Sequence, residues 1–248
     1  MEEFITFLSE NLIYILVALF AIFVLLCITL ANYAFDSYVN GFEKMKKVGT
    51  TFGGNALDLA NIISAKNFKG IVKTEVMATE EIKSNGSYSP SQFKVVLSNE
   101  IAYESNIGAL AIVAHEFGHA TQHFKNPKIL VNNYKLSQFV KNLGLLIYPI
   151  FFLVIYFLFT ENITYSLICV GLILIAFFVA LILKYTTIKL EKDASNIALK
   201  ILTDLDILSP KEILLAKKFL NLAKRTYSAE FFRALFAWTG LTRKTKIF

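Results

Sequence analysis

The sequence predicts a mostly α-helical membrane protein in which three membrane-crossing helices carry a small α+β domain. Three observations lead there. Hydrophobic residues make up 55% of the 248 and charged residues only 18%, against about 25% charged in a soluble domain; mean hydropathy is +0.54. Three long runs contain no charged residue. Between the first and second runs, shorter segments carry strand and helix periodicities, and among them lies His115-Glu116-Phe117-Gly118-His119.

Residues 12–31 are long enough to cross about 30 Å of hydrocarbon as helix, and 165–183 are nearly so. Residues 143–159 are at the short limit and carry Pro149, which a membrane helix tolerates as a kink because the freed carbonyl finds another partner. A secretory signal peptide would open with basic residues and close on a small-residue cleavage site. The chain opens Met1-Glu2-Glu3 with no lysine or arginine before the first run, so residues 1–32 are expected to be an uncleaved anchor. The alternative for the two later runs is a buried globular hairpin, but few polar residues are at hand to cover it.

Charge placement orients the chain. Twelve of the 25 Lys/Arg fall between the first and second runs and the other thirteen follow the third. Residues 1–11 and the connector 160–164 have none, so by the positive-inside rule both basic regions face the cytoplasm and the N-terminus faces out. A multi-pass protein of a cell membrane is expected. The net charge of +6 then reflects topology and attraction to anionic lipid, with no need for a nucleic-acid partner. Cys27 and Cys169 both lie inside the apolar runs, which argues against a disulfide or a thiolate metal site.

The soluble part reads in two pieces, 33–142 and 185–248, joined by a membrane hairpin over 143–184. Residues 33–47 have Phe35, Tyr38, Phe42 and Met45 at helical spacing, and fit either an amphipathic surface helix or an extension of the anchor. A break follows at 49–54, then a short helix over 55–66. Residues 71–77 and 93–97 read as strands of a small sheet or hairpin, separated by turn chemistry at 84–91. The strand 93–97 is a candidate edge for pairing with an extended substrate. Ser98 or Asn99 caps a helical segment, and Ser105 or Asn106 restarts one that runs from about 107 to 124 and stops before Asn126-Pro127. Residues 184–202 continue as helix, and Pro210 with Glu212 opens a last one striped by Ile213, Ala216, Phe219, Leu220 and Ala223. The tail 229–241, with Phe231, Phe232, Phe236 and Trp238, fits either the membrane surface or the domain.

Four residues of helix turn about 400° and rise about 6 Å, so His115 and His119 project from one face where a single ion can bridge them. Two neutral imidazoles suit Zn²⁺, which acidifies a water, and the intervening Glu116 takes its proton as that water attacks a carbonyl. Eight apolar residues before the motif cannot span a bilayer, so the helix is expected inside a small cytosolic, zincin-like domain and not within the membrane. A catalytic site needs a third ligand. His123 lies about 12 Å along the axis from His115 and drifts further round the helix, so it is read as a polar helix residue beside the site, not a ligand. The helix after the hairpin returns to the same side, where Glu191 and Asp193 are close rivals on spacing and Asp204 and Asp206 weaker ones.

The stretch His-Glu-Phe-Gly-His-Ala-Thr-Gln-His, the preceding Leu-Ser-Asn-Glu with Tyr88-Ser89-Pro90 upstream, two apolar helices and then Glu191-Lys-Asp-Ala-Ser resemble the YugP-type neutral zinc metallopeptidases of bacterial membranes. Those are similar in plan to HtpX-type membrane proteases. The resemblance covers residues 30–228 in element order, and implies that Glu191, not Asp193, is the third ligand. Lys192 stands where an aromatic is usual and Ile197 where an arginine is, differences that bear on substrate preference. The tail also lacks the strongly apolar final segment of such proteins.

The expected activity is that of a membrane-anchored endopeptidase acting on polypeptides, membrane proteins among them. His115, His119 and Glu191 would hold Zn²⁺, with Glu116 as general base. The rival is a non-catalytic membrane scaffold whose zinc is structural or absent, in which Glu116 would have no use.

Overall fold

The computed structural model describes residues 2–78 and 85–235. Among these residues, seven helices and three strands follow one another in the order α1 (Glu2–Lys46), α2 (Ala56–Phe68), β1 (Lys73–Met77), β2 (Gly86–Ser89), β3 (Lys94–Ser98), α3 (Asn99–Ala102), α4 (Ile107–Lys125), α5 (Pro127–Phe159), α6 (Ile163–Leu205) and α7 (Pro210–Leu235). Three of the helices, over Ile22–Lys46, Asn142–Phe159 and Ile163–Leu205, are long and apolar enough to cross a membrane. Many large apolar side chains on them face outward, Phe152, Leu167 and Ile175 among them, as lipid-facing positions would.

The domain is built around α4. Asn106 caps it by accepting a hydrogen bond from the Ala109 N–H at 3.0 Å, and Pro127 ends it after Asn126 because the residue before a proline is driven out of helical conformation. Residues Ile107 to Gly118 are all buried, enclosed by α1, α2, α6, α7 and the sheet. Each such Ile, Leu or Phe contributes about 1.5–3 kcal/mol on burial. The apolar run before the motif is therefore apolar because protein surrounds it on every side.

Residues 33–47 extend α1 as one unbroken helix. Tyr38 and Phe42 are buried against Phe219 of α7, with ring centroids at 5.7 and 5.8 Å, so this segment packs into the domain and is not a surface helix. The helix α2 opens with a capping box, in which Asn55 and Asp58 exchange hydrogen bonds at 2.9 Å. It closes at Lys69 and Gly70, both at positive φ.

The sheet departs from the expected pattern in two ways. The segment 84–91 was expected to be a turn, but its residues Gly86–Ser89 form β2. Main-chain pairing with β3 decides this, with Gly86 opposite Leu97 and Ser89 opposite Lys94. The order is β1-β3-β2, with β1 parallel and β2 antiparallel to β3. The strand over 93–97 is thus central and cannot be the edge that receives a substrate; both its sides are already hydrogen-bonded.

Pro149 lies inside α5, and α6 runs from the apolar hairpin straight into the domain without a break. The helices α1, α5 and α6 each cross the expected segment boundaries at 32, 142 and 184. The side chains of the tail 229–241 lie outside the described residues.

Candidate metal centre

Two helices supply the site. His115 and His119 stand one turn apart on α4, and Glu191 comes from α6. One ligand atom from each lies within 4.8 Å of the others, and among the described residues this is the His/Cys/Asp/Glu group able to hold a metal ion. Glu191 Oε2 is 3.2 Å from His115 Nε2 and 3.3 Å from His119 Nε2. Asp193, its rival on spacing, points elsewhere, and so does His123, whose Nδ1 shares a hydrogen bond with the Tyr88 hydroxyl at 2.9 Å.

The far side of each imidazole is occupied. The Ser195 hydroxyl donates to the Glu191 carbonyl at 2.9 Å, leaving its oxygen to accept from the His115 Nδ1–H at 3.3 Å. Gln122 Oε1 accepts from the His119 Nδ1–H at 3.0 Å. With both protons on Nδ1, each Nε2 presents a lone pair toward a carboxylate oxygen. Three such electron-rich atoms face one another stably only around a cation, and two imidazoles with one carboxylate form a donor set that suits Zn²⁺.

The same contacts govern the electrostatics of the cluster. Burial alone would lower the His119 pKa, but the Glu191 charge and hydrogen bond outweigh it and hold the imidazole up at about 9. Glu116 is 4% exposed. Burial raises its pKa, while the two imidazoles and a hydrogen bond from the Tyr88 backbone act in the opposite direction.

Gly118 makes the crossing of the two helices possible. A Cβ there would fall inside the contact radius of the Ala194 carbonyl oxygen and 3.2 Å from the Ala194 Cα. Glu191 lies one turn before Ala194, so this close approach brings its carboxylate to the histidines. Gly86 has a parallel role on β2: a Cβ there would sit 3.0 Å from Ile112 and 3.4 Å from the Glu116 side chain. The strand therefore passes directly over the acid.

Sequence reasoning overlooked Gln122, Ser195 and Gly86. Gln122 is three residues past His119 and Ser195 four past Glu191, so helical spacing alone placed each beside a ligand. Gly86 carried no comparable signal.

The fold and site define a helical protein, bearing helices apolar enough to cross a membrane, with a buried two-histidine, one-carboxylate cluster able to hold a metal. The chain belongs to the family described as "Putative neutral zinc metallopeptidase", whose model matches residues 14–243. It is 28% identical over 197 residues to "Putative membrane protease YugP" of Bacillus subtilis (strain 168), an overlap covering 79% of this chain and 83% of that protein. No solved structure matches the chain.

Proposed function

We propose that this protein is a membrane-anchored, zinc-dependent endopeptidase whose site faces the cytoplasm. The observation that carries the reading is the convergence of His115, His119 and Glu191 within 4.8 Å, with the buried Glu116 on the same helix turn. Zn²⁺ held by these three residues would supply Lewis-acid polarisation of the scissile carbonyl and acidify the attacking water. Glu116 accepts the water's proton and returns it to the leaving amine. Its burial favours proton uptake, and its neighbouring imidazoles keep the charged form available beforehand. The Tyr88 N–H holds one side of the carboxylate, which fixes the direction in which it faces.

The substrate is a polypeptide in extended form. On the side away from β3, β2 is an edge among the described residues, and it runs over Glu116, so main-chain pairing there would set a peptide bond against the acid. The name of the Bacillus relative and the apolar helices support attachment to a membrane. The Lys/Arg segregation supports the cytoplasmic side, which places membrane proteins within reach as substrates.

The test is Glu116→Gln in the full-length protein. Zinc is expected to stay bound while peptidase activity falls by about 10²-fold to 10⁴-fold. Full activity at full zinc content would overturn the reading.

A further inference from the structure

Gln122 is the point where the two halves of the metal centre are coupled. Its side chain is buried, 6% exposed, and makes three hydrogen bonds. Nε2 donates to the Leu190 carbonyl and to Asp193 Oδ2, each at 2.8 Å, and Oε1 faces His119 Nδ1 at 3.0 Å. Leu190 O and Asp193 Oδ2 can only accept, so the amide has one permitted orientation. Its NH₂ must face α6 and its oxygen must face His119.

This orientation has a chemical consequence two bonds away. An amide oxygen at His119 Nδ1 requires a proton on Nδ1, which leaves Nε2 deprotonated toward Glu191. A reversed amide would present N–H to Nδ1 and favour the other tautomer, with the proton on Nε2 where a ligand's lone pair is needed. The two acceptors on α6 flank Glu191 in sequence. One side chain therefore sets the tautomer of a histidine on α4 and holds α6 in the register that presents Glu191.

We propose that Gln122 is a positioning residue for metal binding, oriented by Leu190 and Asp193 so that His119 offers Nε2 to the ion; this rests on the zinc-site reading above. Asp193 acts only through Gln122, and it is itself largely exposed, so its share is the smaller one.

The experiment measures zinc affinity by chelator competition on the full-length, detergent-solubilised protein, with the melting temperature of each zinc-free variant beside it. Gln122→Met should weaken zinc binding by about 10-fold to 100-fold, and Asp193→Ala by about twofold to tenfold. Adding Asp193→Ala to Gln122→Met should weaken it no further. Gln122→Glu is the isosteric second variant. Its added oxygen faces Leu190 O and Asp193, so there Asp193→Ala should strengthen zinc binding, the reverse of its effect in the parent. That reversal of sign in zinc affinity establishes the coupling, the zinc-free melting temperatures showing that each variant is folded; a residue of merely structural value would not produce it. Parent-like affinity in both Gln122 variants, or an Asp193→Ala effect of the same size and sign in every background, overturns the proposal. Both outcomes leave the peptidase reading standing, whereas a parent that binds no zinc overturns both.

Discussion

Glu191 and Asp193 are two residues apart on one helix, yet only one carboxylate turns toward the histidines. Residues at i and i+2 point about 200° apart around a helix axis, so a helix that aims Glu191 at the site necessarily turns Asp193 away from the ion. We therefore expect Glu191→Ala to abolish stoichiometric zinc, while Asp193→Ala retains the metal with weakened affinity. Metal content of the purified variants checks this, and parent-level zinc in Glu191→Ala would exclude it as a ligand. The sequence pattern made His115, Glu116 and His119 legible because their relation is local, set by the 3.6-residue turn. Spacing and the return of the chain after the hairpin left Glu191 and Asp193 as rivals, and only the family resemblance chose Glu191, since nothing in local periodicity relates α6 to α4.

The contact between α4 and α6 depends on Gly118 having no side chain. Gly118→Ala should force the helices apart where a Cβ would meet the Ala194 carbonyl, costing about 1–3 kcal/mol of stability by overpacking. Zinc affinity should fall with it, since α6 carries Glu191 away; thermal unfolding in detergent and chelator competition read the two effects. A second clip joins the loop before α2 to the start of α7. Glu212 accepts hydrogen bonds from the Thr51 N–H and hydroxyl at 2.6 and 2.7 Å, and from the Ser209 N–H at 2.6 Å. Burial acts to raise its pKa, but these bonds win and hold it near 2, below its ordinary 4.5. A depressed carboxylate stabilises the fold above its unfolded pKa and loses that contribution as pH falls through the folded value. Glu212→Gln should accordingly destabilise by about 1.5–3 kcal/mol at neutral pH. The gap to the parent should stay flat down to about pH 4.5 and close toward about pH 2. A pH series of melting curves on both proteins measures it.

The residues of the cluster come from chain segments on either side of the apolar hairpin formed by α5 and α6. In the topology proposed above, the two helices of the hairpin return the chain to the compartment it left, so the proposed metal site and the Lys/Arg segregation make the same demand. A reporter fused after Phe248 should behave as cytoplasmic, and one inserted in the connector 160–164 as external. A C-terminal reporter found outside would contradict the orientation. Thr187 donates to Asn133 at 3.0 Å across the base of the hairpin, where the two helices enter the domain.

The three apolar runs, the helix restart at Ser105 or Asn106, the stop before Pro127 and the two motif histidines were all determined by the sequence itself. Each follows from transfer free energy or from dihedral preferences acting over a few residues. The tertiary structure alone decided which strand is central, because 84–91 has turn chemistry and becomes β2 only by pairing with β3. It alone also decided that Gly86 and Gly118 are points of close approach, that Gln122 faces α6, and that Glu212 reaches Thr51. These relations join segments far apart in the chain, and their energy comes from excluded volume and hydrogen bonds that exist only once the helices have packed.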